Sequence, residues 1–354
     1  MALSQNHLFL VLTITAMVFT AAISTAQDID LLGESADTLS DEDYSTNLNN
    51  QFILRFFALH KANVVNIRKD DAEVEYRPNG TISIGVGFNY KFLGLGISFG
   101  LPQTQSSKEK KGTTQRLDVQ LSLFSKALAG DAFLQVYRGY YINNPRDLFT
   151  WESVSYPQLP DMQVVTLGVN GYYLFNNDRF SYRAAFIGNQ VQTKSAGSVA
   201  AGIFGTFDQV RTTNGFVPPE LQDSTTAEFD LKSFEALTAG LSAGYMYTFV
   251  LGKGFFISLA GIPGIGYRRY RLVDLSDEIR VDNKLAFHFL GRMAFGYNRS
   301  RYFINFNALF NVRNYNYLSY RLSLSTEQLR LTFGLRFETK ASKKRGQYFP
   351  EMNN

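Results

Sequence analysis

The sequence predicts an all-β protein: a transmembrane, antiparallel, up-and-down β-barrel of about 12 strands, with 14 as the alternative count. Three observations predict it. First, apolar and polar residues alternate in stretch after stretch. In 328–338, Leu329, Leu331, Phe333, Leu335 and Phe337 alternate with Gln328, Arg330, Thr332, Gly334, Arg336 and Glu338. Successive side chains on a strand point to opposite faces, so one face is greasy and the other charged. Second, beyond the N-terminus no run reaches the ~18 apolar residues of a helical span. Third, short turns alternate with long loops. A soluble sheet can also alternate, but here too many charges would face inward together. Lipid outside and polar groups inside fit the pattern, and lipid tolerates no unpaired sheet edge, so the barrel must close.

The 354 residues suit one large barrel. Residues 1–26 read as a secretory signal. The apolar run from Leu8 to Ala22 ends in the small residues Ser24-Thr25-Ala26, as a signal peptidase requires. No Lys or Arg precedes the run, and a single N-terminal anchor is the alternative. The chain has no cysteine, which excludes a lipid-anchored thiol and a disulfide framework. Residues 27–50 form an acidic, flexible periplasmic segment carrying Asp28, Asp30, Glu34, Asp37, Asp41, Glu42 and Asp43. The barrel occupies 51–338. A tail, 339–354, turns basic with Lys340, Lys343, Lys344 and Arg345. The formal net charge of +4 does not argue for nucleic acid.

The strands follow in order. Phe52, Leu54, Phe56 and Ala58 share a face opposite Arg55. Ile82, Ile84, Val86, Phe88 and Tyr90 oppose a row of Ser, Gly and Asn ending at Lys91. Leu93, Leu95, Ile97 and Phe99 oppose Gly94, Gly96, Ser98 and Gly100. Leu117, Val119, Leu121 and Leu123 oppose Arg116, Asp118, Gln120 and Ser122. Ala132, Leu134 and Val136 oppose Gln135 and Tyr137, after a turn at Gly130-Asp131. Val165, Leu167, Val169 and Tyr173 oppose Thr166, Gly168 and Asn170.

Asn176-Asn177-Asp178 is a hairpin signal. It predicts a strand with Phe180, Tyr182, Ala184 and Phe186 opposite Ser181, Arg183 and Asn189. Thr193 to Leu231 reads mainly as an outer loop, although Ser195 to Phe207 could be strand and would raise the count; 61–78 is equally open. Leu237, Leu241, Tyr245, Tyr247 and Phe249 resume the pattern, and Gly252-Lys253-Gly254 turns into a strand from Phe255 to about Leu272. Leu285, Phe287, Phe289, Met293 and Phe295 oppose Lys284, His288 and Arg292. Tyr302, Ile304, Phe306, Phe310 and Val312 oppose Asn305, Asn307, Asn311 and Arg313, and the 328–338 strand closes the set. Short turns on one side and long loops (101–113, 143–161, 193–231, 273–280) on the other predict a bacterial outer-membrane barrel with both termini periplasmic.

Tyr90, Tyr140, Tyr141, Tyr172, Tyr173, Tyr267, Tyr270, Tyr297, Tyr302, Tyr315 and Tyr317 fall near strand ends. They predict the aromatic girdles of such barrels; plain β-propensity is the alternative. Tyr76-Arg77-Pro78-Asn79, the Gly-alternating strand with Asn89-Tyr90-Lys91, Lys194-Ser195-Ala196-Gly197-Ser198 and Gly244-Tyr245-Met246-Tyr247-Thr248 together resemble a family of bacterial outer-membrane barrels classed as a domain of unknown function. The resemblance covers about residues 50–338. It implies barrel and location, and brings no activity, substrate or catalytic residue.

Gly96-Ile97-Ser98-Phe99-Gly100 matches the G-x-S-x-G of hydrolases. That motif needs a strand-to-helix turn, whereas here an alternating strand runs through it. His288 shares an inward face with Lys284 and Arg292 and is the candidate base of a membrane-embedded lipid hydrolase, the weakest of three readings. No catalytic residue, metal ligand or cofactor is assigned.

Charge is the strongest signal. The predicted lumen face carries Arg55, Lys91, Arg116, Arg183, Lys284, His288, Arg292, Arg313, Arg330 and Arg336, mainly against Asp118 and Glu338. Inward cations favour anions in a pore, so the leading expectation is a narrow conduit or binding barrel for small anionic solutes. The rival is a non-transporting structural or interaction barrel presenting its outer loops, with the arginines filling a closed interior. Arg268, Arg269 and Arg271 at an outer strand end are placed to hold phosphates of an outer-leaflet glycolipid. The expected partners are the lipid bilayer, that glycolipid, a small solute and the barrel-assembly machinery during biogenesis.

Overall fold

The computed structural model describes residues 44–48, 51–69, 72–80, 82–147, 150–218, 221, 231–299, 301–317 and 320–339. The predicted signal, most of the acidic segment and the tail from Lys340 lie outside them. The described strands are β1 Ser45–Asn47, β2 Phe52–Lys69, β3 Ala72–Arg77, β4 Ile82–Tyr90, β5 Leu93–Gly100, β6 Gln115–Phe124, β7 Leu128–Ile142, β8 Gln158–Leu174, β9 Gln190–Gln192, β10 Ala196–Arg211, β11 Leu231–Gly252, β12 Phe255–Asp274, β13 Ile279–Asn298, β14 Tyr302–Tyr317 and β15 Tyr320–Phe337. One short helix, α1 Gln105–Lys111, lies in the β5–β6 loop.

Twelve strands close a ring in the order β2, β4, β5, β6, β7, β8, β10, β11, β12, β13, β14, β15. Neighbours are antiparallel, and β15 returns to β2 from Phe337↔Phe52 to Tyr320↔Lys69. Closure removes both sheet edges. β3 pairs with the far end of β2 and reaches β7 through Tyr76↔Ile142, bridging the wall beyond the short strands β4 to β6. The β4–β5, β6–β7, β11–β12 and β13–β14 turns and both barrel termini share one end, the turn end; the other is the loop end.

The side-chain parity read from the sequence holds around the ring. Outward residues are greasy and exposed: Ile84 56%, Leu241 66%, Phe287 71%, Leu331 53%. Inward ones are polar and buried, among them Arg55, Asp118, Asn170, His288 and Arg313. A greasy outside around a charged inside is stable only where lipid replaces water. Among the described residues no helix is long and apolar enough to cross a membrane. Nine strands run 15 to 22 residues, while ~9–11 suffice to span. They overshoot at the loop end, where an apolar core fills the ring with Ile67, Tyr76, Tyr140, Phe216, Phe234, Tyr270 and Leu322.

Three expectations are corrected and one open segment is resolved. Ala196–Arg211, inside the stretch read as loop, is β10 and pairs along its length with β11 and partly with β8. The predicted strand through Phe180 to Phe186 does not exist: Arg183–Ile187 is a π-helical turn inside the ring. One strand gained and one lost leave the ring at 12, not 14. The open segment 61–78 continues β2 and forms β3. Ser45–Asn47, in the segment read as flexible, is a strand paired with β9.

The girdle also divides. Tyr173, Tyr267 and Tyr302 face outward and are exposed, but Tyr140, Tyr172, Tyr270 and Tyr315 are buried inside. At Tyr140 the cause is local. Gly139 has φ +91°, and a β-carbon there would lie 2.1 Å from Thr113 O. The resulting bulge between Arg138 and Tyr140 shifts the register and turns the following side chains over.

Candidate functional site

The interior is built in three layers. The first closes the turn end. After β8 the chain turns at Asn176–Phe180, with Phe180 N donating to Asn176 O at 2.9 Å, and enters the ring. Phe180, Tyr182, Ala184, Ala185 and Ile187 are all buried. Their spacing is not the period of a strand with one lipid face, because every side of this segment is covered. Inward amides of the wall hold its backbone: Asn89 Nδ2 donates to Ile187 O at 3.0 Å, Asn305 Nδ2 to Ala185 O at 3.0 Å, Asn298 Nδ2 to Gln190 O at 3.1 Å. Arg336 Nε donates to Gly188 O at 3.0 Å. β9 then pairs with β1, so residues from the N-terminal segment complete the plug.

The second layer is ionic. Asp131 on β7 accepts from Arg292 Nη2 on β13 at 2.7 Å, from Ser122 Oγ at 2.8 Å and from Tyr182 Oη of the plug at 3.1 Å. Arg292 Nη1 also donates to Tyr182 Oη at 2.6 Å. Burial raises the Tyr182 phenol well above its usual range, so it stays neutral and serves both charges. Asp118 accepts from Lys61 Nζ and, at 2.9 Å, from Tyr137 Oη. Asp208 lies 3.1 Å from Arg313 Nε and accepts from Tyr315 Oη at 2.6 Å and Thr166 Oγ1 at 2.8 Å. Each interior carboxylate thus answers one cation across the barrel. The third layer is the apolar core of the loop end.

Between plug and core remains a polar cavity of about 50 Å³, lined in part by Arg55, Lys61, Asp118, Gln120, Asp131, Arg292, Arg313 and Arg330. A water needs roughly 10–15 Å³ on this measure, so the space holds a few waters or one small ion.

The predicted basic face splits accordingly. Arg55, Arg292, Arg313 and Arg330 share the cavity. Arg336 and Arg183 belong to the turn-end layer; Arg183 lies within the plug itself, where burial lowers its guanidinium to about 10. Arg116 lies over Gly100, half-buried near the loop end. Lys284 is exposed, its Nζ 3.1 Å from Asn316 O. Lys91 is no lumen residue: it sits in the β4–β5 turn at φ +52° and is exposed. His288 stacks on Phe204 with ring centroids 4.5 Å apart. Ser98 lies mid-strand in β5, paired with Gly85 and Asp118, with no turn to present it.

The arginine trio of the outer strand end divides by parity. Arg268 points inward, over the Tyr315 ring at 4.1 Å, with Nε donating to Thr238 Oγ1 at 2.9 Å. Arg269 is exposed, and Arg271 faces Glu235 at 3.7 Å. Adjacent strand residues cannot share a face, so the three do not form one clamp. Among the described residues no group of three or more His, Asp or Glu could hold a metal.

Sequence reasoning missed Lys61, Asp131 and Asp208. Asp131 falls in a predicted turn and Asp208 in a predicted loop, so the sequence makes the lumen look more basic than it is. The signal for Asp208 was present, in the alternation of Phe204, Thr206, Asp208 and Val210 against Ile203, Gly205 and Phe207.

Residues 37–337 match a family model described as Domain of unknown function (DUF4421). No curated relative matches the chain in sequence. Among solved structures it is similar to the outer membrane protease OmpT of Escherichia coli (8% identity, 86% of this chain and 100% of that chain covered, TM-score 0.40). It is also similar to an outer membrane channel of Pseudomonas putida F1 (11%, 85% and 100%, TM-score 0.30) and to the P. putida toluene transporter TodX (8%, 82% and 91%, TM-score 0.27).

Proposed function

The chain belongs to the DUF4421 family, and from that premise we propose that it is an occluded binding barrel of the bacterial outer membrane, with both termini periplasmic. Its solute is small and anionic, and passes only when the turn-end plug and the loop-end core both shift. The observation carrying this is the inward segment 175–195, held by side chains of β4, β13, β14 and β15. Twelve strands fall between filled barrels of about 8 and open ones of about 16, so what fills the lumen decides its state. The turn-end plug and loop-end core leave only the small polar compartment between them. Buried cations around that space favour a negative solute.

A second reading has its own support. The same two seals suit a non-transporting barrel that presents its loop end to partners, with the ion pairs serving only to fill it.

Planar-bilayer recording of the refolded mature chain separates the readings. The parent is expected to be silent. Replacing 177–192 by a two-residue Asn-Gly turn and thinning the loop-end core with Phe216→Ser and Phe234→Ser are together expected to give steady, anion-preferring conductance, and either change alone is not. A parent that conducts steadily overturns the occluded state. A folded but silent variant lacking both seals favours the presenting barrel.

A further inference from the structure

We propose a binding site for one small oxyanion between Arg55 of β2 and Arg330 of β15, in the polar compartment at mid-barrel. The inference rests on the occluded-barrel reading and deepens it by naming the site and the ligand class.

Charge accounting on the cavity wall points there. Five cations line it: Arg55, Lys61, Arg292, Arg313 and Arg330. Lys61 is answered by Asp118, Arg292 by Asp131 and Arg313 by Asp208. That leaves Arg55 and Arg330, and among the described residues no carboxylate pairs with either. Arg55 is 8% exposed; one Nη donates to Leu95 O at 3.3 Å, and among the described residues its Nε has no partner. Arg330 donates to Gln120 Oε1 at 2.6 Å, and among the described residues its Nε also has no partner. A guanidinium withdrawn from water without a counter-charge is strongly disfavoured.

The wall is shaped to hold these two groups. Gly87 and Gly96 have no β-carbon, and one built there would lie 3.1 and 3.9 Å from an Arg55 Nη. The Phe57 ring lies against Gly85 and Gly96 and carries Arg330 on its face, 4.8 Å from the centroid. Stacking fixes the plane of a guanidinium and leaves its edge to bind. Two N–H edges facing a space of about 50 Å³ match an anion of about four or five heavy atoms: sulfate, phosphate, nitrate or a short carboxylate. A larger solute does not fit between plug and core.

The test uses the full mature chain, refolded in neutral detergent with labelled sulfate, phosphate, nitrate or acetate at constant ionic strength set by chloride. Bound anion is counted after dialysis. The expected result is one site per barrel for at least one of the four, with slow release because both ends are sealed. Arg55→Gln and Arg330→Gln are each expected to lower affinity at least tenfold. Arg269→Gln, outward on β12, is expected to leave it unchanged. If a glutamine variant does not reach the folded, heat-modifiable form, Arg55→Lys and Arg330→Lys replace it, since lysine keeps the charge and loses the two-pronged edge. No retention of any of the four anions by the folded parent overturns the site, as does equal binding by the arginine variants. Conductance does not enter this readout, so a presenting barrel that never conducts can still bind, and a gated one can fail to.

Discussion

Replacing Arg292 by Met tests the link between wall and plug. Arg292 has a 10% exposed side chain and Asp131 a 3% exposed one, with 2.7 Å between them. The substitution removes the only cation paired with Asp131 among the described residues. It also removes the 2.6 Å hydrogen bond to Tyr182. Breaking a buried pair from one side costs about 3–5 kcal/mol, because the remaining charge is stranded. Asp131 keeps Ser122 and Tyr182 as donors, which places the expected loss near the lower bound, about 3 kcal/mol. Adding Asp131→Asn removes the stranded charge, so the double variant should lose only about 1–2 kcal/mol. Asp131→Asn alone should also cost about 3 kcal/mol because it strands Arg292, so the two changes couple by roughly 4–5 kcal/mol, well beyond the error of a double-mutant cycle. Urea unfolding of the refolded protein in lipid vesicles, followed by circular dichroism, measures it. A single-variant loss under about 1 kcal/mol, or an additive double, would refute the claim that this pair stabilises the closed interior.

Three further outcomes are expected. Asp208→Asn should destabilise by about 3 kcal/mol, since it strands Arg313 among buried groups; an unchanged urea midpoint would count against the pairing. Gly188→Val should loosen the plug without breaking the ring. Its φ is +89°, and a β-carbon would meet the Phe303 ring at 2.4 Å, so backbone strain of about 1–2 kcal/mol adds to a clash; limited proteolysis of the folded protein should cut the plug where the parent is protected, and a cleavage pattern identical to the parent would argue that the plug has room. Phe289→Lys, on the outward face midway along β13 and 50% exposed, should cost about 2–4 kcal/mol of folding in bilayers. Folding yields equal to the parent in vesicles would contradict lipid at that face.

The ring was legible because lipid imposes a strict rule. Phe287, Phe289, Phe295, Leu331 and Phe333 cannot face anything else, so alternation alone gave their parity. The interior obeys no such rule. Asn89 and Asn305 look like lumen lining in sequence and Asn298 like the start of a turn, yet each clamps a plug carbonyl. Their partners are backbone atoms, which no side-chain pattern advertises. Likewise Arg268 reads as a rim cation until its even position on β12 is set beside inward Tyr270 and Leu272.

The plug shows why the hairpin signal misled. Asn176-Asn177-Asp178 does turn the chain, but the turn alone does not say whether the next residues join the wall. That choice falls to the flanking pattern. A wall strand here must offer a continuous apolar row to lipid. Phe180, Tyr182 and Ala184 begin such a row, but Ala185, Ile187 and Val191 are apolar at the alternate positions, where a wall strand needs polar groups. Such a stretch has no polar face for the lumen and fits best where all its sides are covered. The interior supplies that cover, with Phe124, Leu174, Met246 and Ile262 around it. The neighbouring Ala196–Arg211 alternates cleanly instead and takes the vacant place in the wall, so the count of 12 reflects a competition between two adjacent segments for one position in the ring.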